Sequence, residues 1–147
     1  LLNTGWTENK NNIYKYYYDG ITPSISRLLE KIDQERVLVS KKLGLEVETT
    51  LEWLKRTYQI KGENLNECIQ NNEAYKTIDA PSSLYHRYIF EDVPYGLVPL
   101  EAVGKMKGLS MKYTGLIIDL ASSLLDIDFR TKGRNYEDVQ KYIKHIT

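Results

Sequence analysis

The sequence predicts an all-α protein, a compact multi-helix domain of about six helices that extends over residues 1–147. Three observations support this prediction. Apolar residues in 25–39 recur at alternating intervals of three and four, which is the spacing of one helix face. Residues 113–125 are almost wholly apolar, as in a buried helix. No alternating pattern longer than residues 14–18 indicates a strand.

Capping residues delimit the first helix. Thr22 is a suitable N-cap, Pro23 fits the first helical position, and Gly44 suits the position after the helix end. The preceding residues, 1–20, are rich in Asn, Gly and Tyr and are expected to be irregular or extended. We expect the tyrosines of 14–18 to pack on this domain or on a partner domain.

Two shorter helices are predicted next. The first is capped by Thr49 or Thr50, has an apolar face that includes Leu54, and ends at Gly62. The second covers residues 64–72.

Residues 81–99 are predicted to be rich in loops because Pro and Gly recur there, with one turn of helix between Leu84 and Phe90. A short helix over 99–107 then ends at Gly108.

The apolar helix over 113–125 is expected to be surrounded by the other helices. Its apolar face is predicted to comprise Leu116, Ile117, Leu120 and Leu124, widened by Ile118, Ala121 and Leu125. A final helix opens at Asn135, has acidic residues in its first turn and continues to His145, whose side chain is expected to be solvated.

Composition narrows the classes of function. The chain has 20 Lys+Arg and 20 Asp+Glu, so its net charge of zero gives no electrostatic footprint for nucleic acid or an anionic membrane. No apolar run reaches the about 18 residues of a spanning helix. Cys68 is the single cysteine, which excludes an intrachain disulfide and indicates an ordinary thiol in a reducing, cytoplasmic compartment.

The sequence contains no recognisable metal or nucleotide motif. It has two His and one Cys, with no HExxH or CxxC pattern, so no metal site is predicted. It has no GxGxxG and no GxxxxGK[ST], so no cofactor-binding residues are predicted within the chain.

The segment that carries chemistry is residues 86–99, HRYIFEDVPYGLVP, which begins with His86 and Arg87 and continues with Glu91 and Asp92. Two interpretations are open. In one, Arg87 pairs with Glu91 or Asp92 across a helical turn and the segment is structural. In the other, the charged residues form a site. A structural role is expected for His86.

This run resembles the signature of the octopine/nopaline (opine) dehydrogenase family, in its C-terminal α-helical domain. The opening LLNTG, the stretch DGITPSISRLLEKIDQERVLVSKKLG and the later IIDLASSLLDIDFRTKGRNYEDV resemble that domain in the same order, from Leu1 to about Val139. Phe90 departs from the family pattern, which more often has a small polar residue there.

The resemblance implies a helical domain like the C-terminal domain of 6-phosphogluconate dehydrogenase-like enzymes. An N-terminal Rossmann domain, absent from this chain, would bind NAD or NADP, and a homodimer is possible. The reaction would be the reductive condensation of a 2-oxo acid with an amino acid.

The same resemblance implies roles for two residues. Arg87 would bind a substrate carboxylate, and Asp92 would belong to the catalytic machinery by holding an acid/base His. The family places that His in a His-Pro motif before the LLNTG-like segment, so the chain alone is expected to be inactive.

Two alternatives stay open: a non-catalytic helical interaction module, and the helical domain of a 2-hydroxy acid dehydrogenase. A GxGxxG domain and a His-Pro motif before Leu1 would favour the opine dehydrogenase interpretation.

Overall fold

The computed structural model describes residues 1–9, 11 and 13–143. Over those residues the fold is all-helical without a named strand, which confirms the predicted fold class, and one isolated antiparallel bridge joins Lys15 and Asp79. The α-helices are α1 (Thr4–Thr7), α2 (Pro23–Lys42), α3 (Thr50–Tyr58), α4 (Leu65–Gln70), α5 (Arg87–Phe90), α6 (Val98–Met106), α7 (Lys112–Leu125), α8 (Phe129–Lys132) and α9 (Tyr136–Ile143). A 3₁₀ turn covers Glu73–Tyr75 and a π-helix covers Val93–Leu97.

The chain divides into two compact units. The first, here the motif unit, comprises Leu1, Glu35–Val47 and Tyr85–Thr147. The second, here the tyrosine unit, comprises Leu2–Gln34 and Glu48–Leu84. Each is described by itself below.

Helix α2 begins and ends as predicted. The Thr22 hydroxyl accepts a hydrogen bond from the Ile25 N–H at 3.4 Å, and Gly44 has the left-handed φ of +74° that follows many helix ends. The predicted helix before Gly108 is also confirmed, since Gly108 has a φ of +75° shortly after α6.

Helix α3 of the tyrosine unit starts with a capping box. The Thr49 hydroxyl accepts from the Glu52 N–H at 3.1 Å, and the Glu52 carboxylate accepts from the Thr49 N–H at 2.7 Å. The predicted end at Gly62 is wrong, because Gln59 adopts a left-handed φ of 54° and stops the helix at Tyr58.

The core of the tyrosine unit joins α3 to α4. Buried Leu54, Leu65, Cys68 and Ile69 form one apolar cluster. Helix α4 begins at its N-cap Asn64, whose side chain accepts from the Glu67 N–H, close to the predicted start.

The aromatic residues near the N-terminus pack within the tyrosine unit. The buried Tyr14 ring stacks on Trp6 with centroids 4.3 Å apart, and the Tyr17 ring stacks on Tyr75 at 4.0 Å. The expectation of irregular structure before residue 20 was wrong for α1, a single helical turn that carries Trp6.

In the motif unit, α7 is buried on one side only. Ile118 and Ala121 are fully buried, where α7 packs against α6, α8 and the π-helix. Leu116 and Leu124 are 51% and 41% exposed, and Leu120 is half-buried. The expectation that this helix is surrounded was therefore wrong: its partners contact one face, and residues at intervals of four lie on another.

Helix α9 opens as predicted, with the Asn135 side-chain oxygen accepting from the Glu137 N–H at 3.0 Å. The predicted end at His145, and the solvated His145 side chain, lie outside the described residues.

Candidate functional site

The charged segment begins with a capped turn of helix. The His86 Nδ1 accepts a hydrogen bond from the Tyr88 N–H at 3.3 Å and so caps α5. The His86 ring also packs edge-on against the Tyr88 ring, with centroids 4.4 Å apart. These contacts agree with the structural role predicted for His86.

Immediately after Asp92 the chain forms a π-helix where the sequence predicted loops. The Val98 N–H donates to the Val93 carbonyl, five residues back. Pro99 follows, and proline in a regular α-helix would crowd the carbonyl of Tyr95, four residues back. The wider turn avoids this, so the chain continues directly into α6. Turns of this kind occur frequently at functional sites.

Arg87 and Glu91 form an ion pair across one turn, with a nitrogen–oxygen distance of 3.2 Å. The two side chains are 70% and 58% exposed. This is the structural pairing that the sequence left open. An exposed pair of this kind contributes little to stability, so the Arg87 guanidinium can exchange Glu91 for another carboxylate at small cost.

Asp92 lies on the surface beside this pair. Partial desolvation raises the pKa of its carboxyl above the ordinary value, the Glu91 charge raises it further, and the Arg87 charge lowers it. The structure thus brings Arg87, Glu91 and Asp92 within electrostatic range of one another.

Phe90, the residue that departs from the family pattern, packs on two aromatic rings. Its centroid is 5.8 Å from that of buried Phe129 and 5.9 Å from that of Tyr85. The Phe90 side chain therefore helps to hold α5 in the motif unit.

An ion network around the buried Glu101 side chain fixes the helix that follows. The Glu101 carboxylate accepts from Arg130 Nε at 2.7 Å, Arg130 Nη2 at 2.8 Å and Lys105 Nζ at 2.8 Å. Burial raises the pKa of Glu101, but these hydrogen bonds outweigh burial and hold the pKa below its ordinary value. Gly115 leaves room for the network, because a Cβ there would lie 2.8 Å from Glu101 Oε1. Every group in this network is paired, which is the pattern of a structural support.

The described residues contain no group of three or more His, Cys, Asp or Glu that could hold a metal ion. Nor do they include a helix both long and apolar enough to cross a membrane. They also form no strand followed by a glycine-rich turn. Burial raises the pKa of the Cys68 thiol, as expected of an unreactive cysteine.

The fold is that of a dehydrogenase helical domain. It superimposes on an octopine dehydrogenase solved with NADH and L-arginine, with a TM-score of 0.76 over 94% of this chain and 42% of that one. The two sequences are 18% identical, so this likeness shows the fold alone.

The chain belongs to the NAD/NADP octopine/nopaline dehydrogenase family, whose α-helical domain model matches residues 1–125. This confirms the family that the segment at 86–99 indicated.

Relatives from bacteria agree with this family. An opine dehydrogenase of Arthrobacter sp. (strain 1C) is 41% identical over 93% of this chain, and the match covers 38% of that protein. The protein ocs of Agrobacterium tumefaciens (strain Ach5) is 31% identical over 83% of this chain and 34% of its own length. A vitopine synthase of Allorhizobium ampelinum is 28% identical over 82% of this chain and 33% of its own length. The chain therefore spans about a third of the length of these relatives.

The sequence did not single out three cations that line a cavity of the motif unit, Lys132, Arg134 and Lys141. A signal was present in the basic run from Arg130 to Arg134. Such a basic run is also typical of a solvent-exposed surface, however, and only the fold shows that it lines a cavity.

Proposed function

We propose that this chain is the substrate-binding helical domain of an NAD(P)-dependent opine dehydrogenase, which reductively condenses a 2-oxo acid with an amino acid. The observation that carries the proposal is an exposed Arg87 beside Asp92, in the segment most specific to the family. An opine dehydrogenase among the relatives, and a fold neighbour solved with L-arginine, support an amino acid as one substrate.

Arg87 is proposed to bind a substrate carboxylate. Its guanidinium presents a planar fork that matches a carboxylate with two parallel hydrogen bonds. Glu91 occupies part of that fork at 3.2 Å. A substrate carboxylate would take the place of the Glu91 carboxylate, which is exposed and can turn into solvent.

Asp92 is proposed to orient the imidazole of an acid/base His supplied from outside this chain. A carboxylate in this position accepts the N–H of one ring nitrogen and so leaves the other nitrogen available for proton transfer to the substrate. It also stabilises the imidazolium that forms when the ring is protonated.

The dinucleotide, NAD or NADP, is proposed to bind to a separate cofactor domain that works with this chain, because the described residues include no strand followed by a glycine-rich turn. The residues of this chain would bind and orient the two carboxylate substrates and fix the position of the acid/base group.

The test is Arg87→Lys in the enzyme that contains this domain together with its cofactor domain. A point charge replaces a bidentate fork, so we expect the KM for one substrate to rise about tenfold. Initial rates of NAD(P)H oxidation, with each substrate varied in turn, measure it.

Arg56→Lys is the matched control. Arg56 also forms an exposed pair with a glutamate, Glu48, at 2.6 Å, but it lies in the tyrosine unit. Its substitution should leave both KM values unchanged. Unchanged KM values for Arg87→Lys as well would remove Arg87 from the substrate site.

A further inference from the structure

A cavity of about 680 Å³ lies in the motif unit, outside the Arg87–Asp92 turn. Three cationic side chains line it, Lys132, Arg134 and Lys141, together with one acidic side chain, Asp138. Two exposed rings, Tyr95 and Tyr142, also contribute to its lining. Its volume is in the range of small-molecule sites, about 300–1,000 Å³.

The cationic wall is held in place by backbone contacts. The Arg134 N–H donates to the Pro94 carbonyl at 3.0 Å, which ties the segment after α8 to the π-helix. A Cβ at position 133 would lie 2.5 Å from that same carbonyl oxygen, so the close approach requires Gly133. The Arg134 guanidinium then lies over the Tyr95 ring, 5.8 Å from its centroid.

Charge defines the kind of ligand. Three cations and one carboxylate leave a formal surplus of two positive charges around the cavity. A monocarboxylate would neutralise one of them, whereas a phosphate monoester carries about −1.5 to −2 at neutral pH and offers three acceptor oxygens. The cavity is also larger than a phosphate group, and its two tyrosine rings suit an organic part with a flat ring.

From this arrangement we infer that the cavity lined by Lys132, Arg134 and Lys141 binds an organic phosphate, with the phosphate group on the three cations and the organic part against Tyr95 and Tyr142. The inference does not depend on the proposed function, because it requires neither turnover nor the acid/base site.

The test is calorimetric titration of the 147-residue chain with phenyl phosphate and, separately, with benzoate. The two probes share a ring and differ in the charge of the anion. We expect phenyl phosphate to bind the chain, benzoate to bind about tenfold more weakly, and added salt to weaken both.

The double variant Lys132→Gln/Arg134→Gln should weaken phenyl phosphate binding about tenfold or more, since two charge-assisted contacts are lost. Lys112→Gln is the matched control: Lys112 also lies over a tyrosine ring, at 5.5 Å from the centroid of Tyr113, but does not line the cavity. It should bind as the unmodified chain does.

Circular dichroism checks that each variant is folded. If the double variant does not fold, Lys141→Gln replaces it, because Lys141 is exposed on α9 and its loss should still weaken binding. The inference is overturned if phenyl phosphate does not bind, if benzoate binds equally well, or if the folded cavity variant binds as the unmodified chain does.

Discussion

Asp92 differs from the carboxylates around it because its neighbours act on it in opposite directions. Desolvation and the Glu91 charge raise its pKa, while the Arg87 charge lowers it. A carboxylate substrate that engages Arg87 would therefore also change the electrostatic environment of Asp92. In the proposed function, substrate binding and the acid/base group are coupled through this one turn.

Asp92→Asn in the complete enzyme should lower kcat far more than it changes either KM. The amide cannot stabilise an imidazolium, and general acid–base catalysis contributes about 10²–10⁴-fold. Steady-state kinetics with both substrates measures the split. Asp79→Asn, which removes an exposed carboxylate of the tyrosine unit, is the control. A variant with normal kcat would exclude Asp92 from the mechanism.

At this scale the sequence identified Arg87 and Asp92 through the motif but could not choose the partner of Arg87. Glu91 and Asp92 are four and five positions after Arg87, but α5 ends at Phe90, so regular helical spacing does not decide between them and the structure selects Glu91. The cationic residues of the cavity could not be predicted from the sequence for a different reason. Arg134 is positioned by a hydrogen bond to Pro94, 40 residues earlier, and a local sequence pattern does not indicate such a contact.

Two apolar residues of α7, Ile118 and Leu116, differ in burial. Ile118→Ala should lower the free energy of unfolding by about 2–5 kcal/mol, because the buried side chain leaves a cavity. Leu116→Ala should change it by about 0.5 kcal/mol or less, because Leu116 is already half in solvent. Urea unfolding of the two variants tests the contrast, and equal losses would contradict the one-sided burial of α7.

Elements with cap signals were predictable from sequence. Thr22, Thr49 and Asn135 each cap a helix as expected. Two features were not predictable. Pro94 and Pro99 indicate loops on local preference, yet the π-helix accommodates both prolines within helical structure. Which face of α7 is exposed to solvent depends on where the neighbouring helices pack, and the uniformly apolar sequence of α7 does not indicate this face.

For the molecule as a whole, the ion network around buried Glu101 makes the free energy of unfolding depend on pH in the acidic range. Because the folded pKa of Glu101 is lower than its ordinary 4.5, the ionised group stabilises the fold at higher pH. That contribution is lost as the pH falls below 4.5 and through the folded pKa. Glu101→Gln should reduce stability at neutral pH and flatten the loss of stability in this acidic window.

Urea unfolding at a series of pH values measures this dependence. Glu73→Gln, at an exposed carboxylate, serves as the control and should keep the slope of the unmodified chain. If Glu101→Gln kept the same slope, the network would not be the source of the acid sensitivity.

The proposed separation of substrate binding and cofactor binding between two domains leads to a prediction for the whole chain. The 147-residue chain should not bind NADH or NADPH with micromolar affinity and should not oxidise either with any oxo acid and amine, because the dinucleotide is proposed to bind to a separate cofactor domain. Calorimetry and absorbance at 340 nm test both expectations. Weak binding that Lys132→Gln/Arg134→Gln removes would belong to the phosphate cavity, whereas micromolar binding that survives it would contradict the proposal.

The π-helix at Val93–Leu97 makes the length of this segment critical. A π-turn accommodates one residue more than the α-turn it replaces, so deleting Gly96 would remove the extra residue and convert this turn into a regular α-turn. Pro99 would then follow Pro94 by four residues, and its ring would crowd the Pro94 carbonyl, which now accepts the Arg134 N–H at 3.0 Å. A change of length in this segment would therefore disturb both the turn after Asp92 and the contact that holds Arg134.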